Sequence, residues 1–129
     1  MCQNPSVQQK LQKEIDEIIG GSRLPSLLDR PHMPYVDAVM HEVLRLSAFL
    51  PIGMPHKAMT DLDFHGYRIP QGTMVFANFF SVHHDPQIYE TPELFLPERF
   101  LGEAAKILKN KYLFPFATGK RVCKYYTFQ

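Results

Sequence analysis

No stretch of about 18 apolar residues occurs anywhere in the chain, which excludes a transmembrane helix of ordinary length within it. Residues 1–10 are polar and carry no apolar h-region, so they do not form a secretory signal. Cysteine is scarce: Cys2 and Cys123 are the only two, near opposite ends of 129 residues. That excludes a small disulfide scaffold. It suits a reducing compartment, or a chemical task for one of the thiols. Neither sign of charge prevails, with Lys and Arg at 14 against Asp and Glu at 13. A net charge of +1 argues against nucleic-acid binding held by bulk charge. There is no internal repeat, no low-complexity tract, no phosphate-cradling glycine loop and no Gly-x-Ser-x-Gly elbow.

Hydrophobic residues make up 45% and charged residues 21%, ordinary values for a globular domain. The length allows one domain at most, with a modest core. Proline is in excess, at 11 residues, and cuts the chain into short elements. Helices must fit the proline-free windows, among them 6–24 and 35–50. In the first, Val7, Leu11, Ile15, Ile18 and Ile19 recur at helical spacing, with Lys10, Lys13, Glu14 and Glu17 on the other face. Ser6 is the expected N-cap and Gly20-Gly21 the stop. In the second, Val36, Val39, Met40, Val43, Leu44 and Ser47 form one stripe. Pro34 precedes that helix and Pro51 ends it. A short turn is expected at Leu27-Leu28. Residues 52–85 are rich in aromatic and β-branched types, with turn residues at Asp61, Asp63, Gly66 and 70–72. They predict a small antiparallel sheet. Beyond Asp85-Pro86 the chain is expected to be irregular.

Several residues could carry chemistry. Cys123 lies beside Lys120, Arg121 and Lys124, and nearby cations favour the thiolate, a nucleophile and soft metal ligand. An inert thiol in a basic loop is the plain alternative. Glu42 and Arg45 lie three apart on the second helix and can touch. On a helical wheel they fall opposite the apolar stripe, which by itself predicts an exposed salt bridge. Arg99, in Pro97-Glu98-Arg99-Phe100, reads alone as a solvated loop arginine. His83-His84-Asp85 invites a metal, but neighbours on a strand face opposite ways and would not converge. His56, after Pro55, could donate to an anion. No acidic residue follows Glu103, while Lys106, Lys109, Lys111, Lys120, Arg121 and Lys124 do. Such a basic end is either a solvated surface or a face for anions and acidic partners.

Taken in order, Glu42-Val43-Leu44-Arg45, Pro97-Glu98-Arg99-Phe100 and Phe116-x-x-Gly119-x-Arg121-x-Cys123 resemble the cytochrome P-450 family of haem-thiolate monooxygenases. Residues 34–39, 55–56, 69–73 and 82–86 resemble its microsomal animal branch. The resemblance covers the chain from about Asn4 to Cys123. It implies an α+β, mainly α fold: two principal helices, a small antiparallel sheet and a long irregular segment before the cysteine loop. It also implies that residues 1–129 are a partial domain, incomplete at both ends.

By the same resemblance, Cys123 is the axial ligand of haem b iron, where a thiolate favours O–O cleavage. Arg121 and His56 contact the propionates, and Phe116 lies beside the macrocycle. Glu42, Arg45 and Arg99 form a buried charge network, so the polar side of the second helix faces inward. Residues 50–54 line the pocket for an apolar substrate such as a lipid, steroid or foreign compound. The basic end faces an acidic electron-donating reductase. The full-length relative sits at the endoplasmic reticulum membrane on its cytoplasmic face, held by a segment absent from this chain. Nucleic acid is not an implied partner. The expected activity is insertion of one oxygen atom from O₂.

Two departures bear on that activity. The family has glycine two residues after the cysteine, and here stands Tyr125. Residues 124–129 show no pattern of the helix that should follow. Most of the substrate pocket and the distal half that the resemblance implies are also missing, so the chain alone is expected to have little or no activity. The alternatives are a non-catalytic truncated fragment, a partner-binding remnant or a thiol-based redox protein.

Overall fold

The computed structural model describes residues 3–117. Helix α1 spans Pro5–Ile18 and helix α2 spans Pro34–Ser47. Both begin on a proline at the first helical position, where its missing N–H costs nothing and its fixed φ suits the helix. That geometry overrides the expected cap: Asn4 precedes α1, and Ser6 lies inside its first turn. Between the helices, Leu27–His32 forms a 3-10 turn with a capping box made by Ser26 and Asp29. Helix α2 stops at Ala48, which adopts φ 39 and ψ 52, before Pro51 could break it.

The two helices meet through side chains that local spacing assigned to solvent. Glu14 of α1 accepts from the Tyr35 and Val36 amides, at 3.0 and 2.8 Å. It thereby caps the exposed amides at the start of α2 and complements that end of its dipole. Lys10 reaches Glu98 at 2.7 Å, so the polar face of α1 is partly an internal seam.

The expected sheet is two small antiparallel pairs. Strands β1 (His56–Lys57) and β4 (Met74–Val75) pair, as do β2 (Leu62–Phe64) and β3 (Tyr67–Ile69). His65 and Gly66 make the two-residue turn of the second pair, both with positive φ, 48 and 84. Positive φ at both positions matches the strand twist. Phe79 and Phe80, expected in the sheet region, instead open a short helix α3, Phe79–His83, after Asn78 accepts from the Ser81 amide. The segment expected to be irregular holds a 3-10 turn at Pro97–Phe100, helix α4 at Gly102–Ile107 and a wider π turn at Leu108–Tyr112.

The core gathers Ala38 of α2 with Tyr89, Phe100 and Leu113, flanked by Ile88, Leu101 and Tyr112. Helix α2 is thus wrapped by residues 88–113. Of the apolar stripe, the face it turns inward fully buries only Val39. Met40 and Val43 are 53% and 46% exposed, while Glu42 and Arg45 are both at 0%.

Candidate functional site

The largest fully buried side chains include Arg45, Glu42 and His83 alongside Tyr89 and Phe100. A buried charge is tolerated only when it is paired and hydrogen-bonded, and here both conditions hold. Arg45 meets Glu42 in a bidentate fork: Nε donates to Oε2 and Nη2 to Oε1, each at 2.8 Å. Its remaining donors reach backbone, Nη1 to the His83 carbonyl at 2.8 Å and Nη2 to the Leu94 carbonyl at 3.3 Å. Glu42 Oε1 also accepts from the Leu96 amide at 3.0 Å and from Arg99 Nε at 3.2 Å.

Arg99 is far from a solvated loop arginine. Its side chain is 9% exposed, and it donates to the Glu90 carbonyl at 2.8 Å, with longer bonds to Thr91 and Leu94. The exposed salt bridge expected from the wheel is therefore corrected. One carboxylate and two guanidiniums fasten α2 to residues 83–99, positions 38 to 57 residues away. Tyr89 closes the cluster, with its ring 5.1 Å from the Arg45 guanidinium carbon. Burial raises the Tyr89 phenol to about 12, so it stays protonated. Its hydroxyl has no hydrogen-bond partner among the described residues.

His83 and His84 lie at the end of α3, not on a strand, and they still diverge. His83 Nε2 accepts from the Phe114 amide at 3.0 Å, whereas His84 stacks on Phe80 with ring centroids 4.0 Å apart. Burial, aided by neighbouring His84 and Arg45, lowers the His83 pKa to about 4. Among the described residues no group of three or more His, Cys, Asp or Glu could hold a metal.

A second polar cluster sits at the start of α2. Asp37 accepts from Arg30 Nη2 at 2.8 Å and from Lys109. Burial opposes its ionisation, but the bonds from Lys109 and Arg30 hold its carboxyl below the usual range. His41, packed near Phe100, bonds the Asp37 carbonyl through Nδ1 at 2.6 Å. Burial, the largest effect, lowers its pKa. Lys109, counted above in the basic end, is thus half-buried and turned to an internal carboxylate.

His56 stands apart from these clusters, exposed on β1 opposite Val75. Around it runs an apolar ribbon. Ile52 bridges to Asn78, the Gly53 amide bonds the Ala77 carbonyl, and β1 pairs with β4. Leu50, Ile52, Met54, Met74 and Phe76 all expose large apolar area along these two runs. Gly53 permits the close approach, because a Cβ there would lie 2.8 Å from the Phe79 ring. Phe116 is half-buried in the turn after Pro115. Cys123 and Arg121, like Cys2, lie outside the described residues.

Sequence reasoning missed Glu14 as a cap and His83 as an acceptor. Both partners are backbone amides at least 21 residues away, and no local spacing signals such a bond. Capping signals are read within one helix, and a histidine pair was weighed only as a metal site.

The chain matches the family model described as "Cytochrome P450" over residues 1–124. It is 49% identical over 123 residues to mouse cytochrome P450 2B9, covering 95% of this chain and 25% of that one. Human cytochrome P450 2U1 is 45% identical over the same length, covering 23% of its own sequence. Among solved structures, a zebra fish cytochrome P450 with abiraterone superposes with a TM-score of 0.84 at 44% identity. That match covers 94% of this chain and 28% of the other. The chain spans about a quarter of the length of the curated relatives it matches.

Proposed function

The chain belongs to the cytochrome P450 family, and from that premise we propose that it carries the haem-ligand part of a haem-thiolate monooxygenase. The observation that supports this most is the buried Glu42–Arg45–Arg99 network. Such a network is costly unless it fixes something, and it ties α2 to the segment that runs on toward Cys123. The fit to a flat apolar macrocycle with carboxylate arms rests on two further features. The exposed ribbon along residues 50–54 and 74–76 offers apolar area, and exposed His56 stands beside it.

In this assignment Cys123 would hold the haem iron through its sulfur, and Lys120, Arg121 and Lys124 would favour its thiolate form. Arg121 and His56 hold the propionates, a task suited to a guanidinium and an imidazole donor. Phe116 would pack against the ring, and residues 50–54 would shape the wall facing an apolar small molecule. Haem, when bound, supplies the O₂ chemistry that places one oxygen atom in the substrate. The protein's own part is to hold the ligand loop, anchor the carboxylates and exclude water.

The remaining basic residues after Glu103 suit an acidic electron-donating reductase. For the whole protein the location is the cytoplasmic face of the endoplasmic reticulum membrane. No helix among the described residues is long and apolar enough to cross a membrane.

Haem titration followed by absorbance tests the assignment. Wild-type chain is expected to saturate at one haem per chain, with His56→Ala and Arg121→Ala each weakening uptake by about tenfold, the worth of one charge-assisted bond. Absence of saturable uptake, or variants that bind as wild type does, would overturn it.

A further inference from the structure

The charge network uses the His83 carbonyl, but neither it nor the haem assignment uses the His83 side chain. Its side chain is 2% exposed. Its own carbonyl accepts from Arg45 Nη1 at 2.8 Å. Its ring Nε2 accepts from the Phe114 amide at 3.0 Å, across 31 residues. One residue is therefore bonded on its main chain to the buried network and on its side chain to Phe114, nine residues before Cys123. The rings of Phe79, on the same helix α3, and Phe114 also meet, with centroids 6.4 Å apart.

The tautomer sharpens the point. An Nε2 that accepts must be unprotonated, so a neutral ring carries its proton on Nδ1. That Nδ1–H is buried and without a partner among the described residues, a cost that leucine of similar size would not incur. The imidazole is thus a poor choice for packing alone. Its one evident service is to accept the Phe114 amide.

We propose that His83 is a positioning residue for Cys123: by fixing the Phe114 backbone to α3 and, through its own carbonyl, to Arg45, it sets where the ligand loop begins. This inference rests on the haem-ligand assignment above. From Phe114 the chain has nine residues to reach the sulfur. A metal ligand must be held to within about half an ångström of its productive place. Without the bond to His83, the Phe114 backbone loses its tie to α3, and with it the fixed start of the nine residues that lead to Cys123.

Three variants test this in the full 129-residue chain. His83→Gln presents Oε1 where Nε2 stood and keeps the acceptor. His83→Leu removes it, and His83→Asn places its polar atoms too near the backbone to reach Phe114. The first readout needs no haem: hydrogen exchange at the Phe114 amide by NMR. Exchange is expected to be about tenfold faster in His83→Leu and His83→Asn than in wild type or His83→Gln. Equal rates in wild type and His83→Leu, whether both slow or both fast, overturn the proposal.

The second readout is the Soret band of the reduced carbonyl complex after loading with haem. Wild type and His83→Gln should show the thiolate-type band, and His83→Leu and His83→Asn should lose most of it at unchanged haem content. An undiminished thiolate band in His83→Leu overturns the positioning role. If wild-type chain takes up no haem at all, the haem assignment and the positioning of Cys123 fall together. The exchange experiment then still decides whether the His83–Phe114 bond exists.

Discussion

Glu42 serves both arginines and a backbone amide with two oxygens, so no member of that cluster can be removed alone without stranding another. Glu42→Ala leaves two guanidiniums facing a dry pocket. Unfolding in urea should show a loss of about 3–5 kcal/mol for Glu42→Ala and for Arg45→Leu. Lys10→Ala, which breaks an exposed pair with Glu98, should leave the midpoint nearly unchanged. Equal, small effects for the three would mean that the buried cluster is not what holds α2 in place.

His83 makes a separate prediction at this scale. Its native pKa, about 4, lies below the ordinary 6.5. Above pH 6.5 both states are neutral there and the group has no effect on stability. Between pH 6.5 and 4 the unfolded chain takes a proton that the native chain refuses, so stability falls as pH falls and levels off below about 4. The full effect is on the order of 3 kcal/mol. His41, also lowered, acts in the same direction. Urea midpoints collected from pH 7 to 4 in wild type and His83→Gln should diverge at the acid end, with the variant losing less. Parallel curves would contradict the burial of a neutral imidazole.

At the scale of elements, the two helices were legible because prolines bound their windows and the starts lie on Pro5 and Pro34. The orientation of α2 was not legible from its period. Val39, Met40 and Val43 mark one stripe, and a wheel turns that stripe inward. The structure keeps Val39 inside but exposes Met40 and Val43 and turns Glu42 and Arg45 inward, because their partners are backbone groups and Arg99 supplied from residues 83–99. Only the resemblance, by setting three separated motifs side by side, carried that information. Phe79 and Phe80 misled in a different way. Their β-favouring character yields to the cap that Asn78 places on the next turn, since propensity is weaker than a satisfied helix start.

The helix ends offer their own test. Ala48 holds φ 39, a region that costs a residue with a Cβ about 1–2 kcal/mol. Ala48→Gly is therefore expected to raise stability by about 0.5–1 kcal/mol, after allowing for the freer unfolded chain. Glu14→Ala should cost about 1 kcal/mol by uncapping α2 from outside. Thermal or urea melts decide both, and a destabilising Ala48→Gly would show that the αL position is misassigned.

For the molecule as a whole, apolar area is not gathered into one interior. The small core lies behind α2, whereas the ribbon formed by residues 50–54 and 74–76 remains exposed. A ligand that covers this ribbon in the folded state alone must stabilise that state by mass action. Haem at about a hundred times its Kd is expected to raise the unfolding free energy by about 2.7 kcal/mol. The chain spans about a quarter of its relatives' length. These 129 residues by themselves, supplied with reductase, reducing equivalents and an apolar substrate, should therefore give no sustained product. Product formation over many turnovers would contradict that.

The central claim is that this piece of fold exists to present Cys123 to haem iron. The most direct measurement loads the chain with haem, reduces it, adds carbon monoxide and records the Soret band. The account predicts a thiolate-type band in the wild-type chain that disappears in Cys123→Ala. No haem spectrum in the wild type, or the same band in Cys123→Ala, would contradict it.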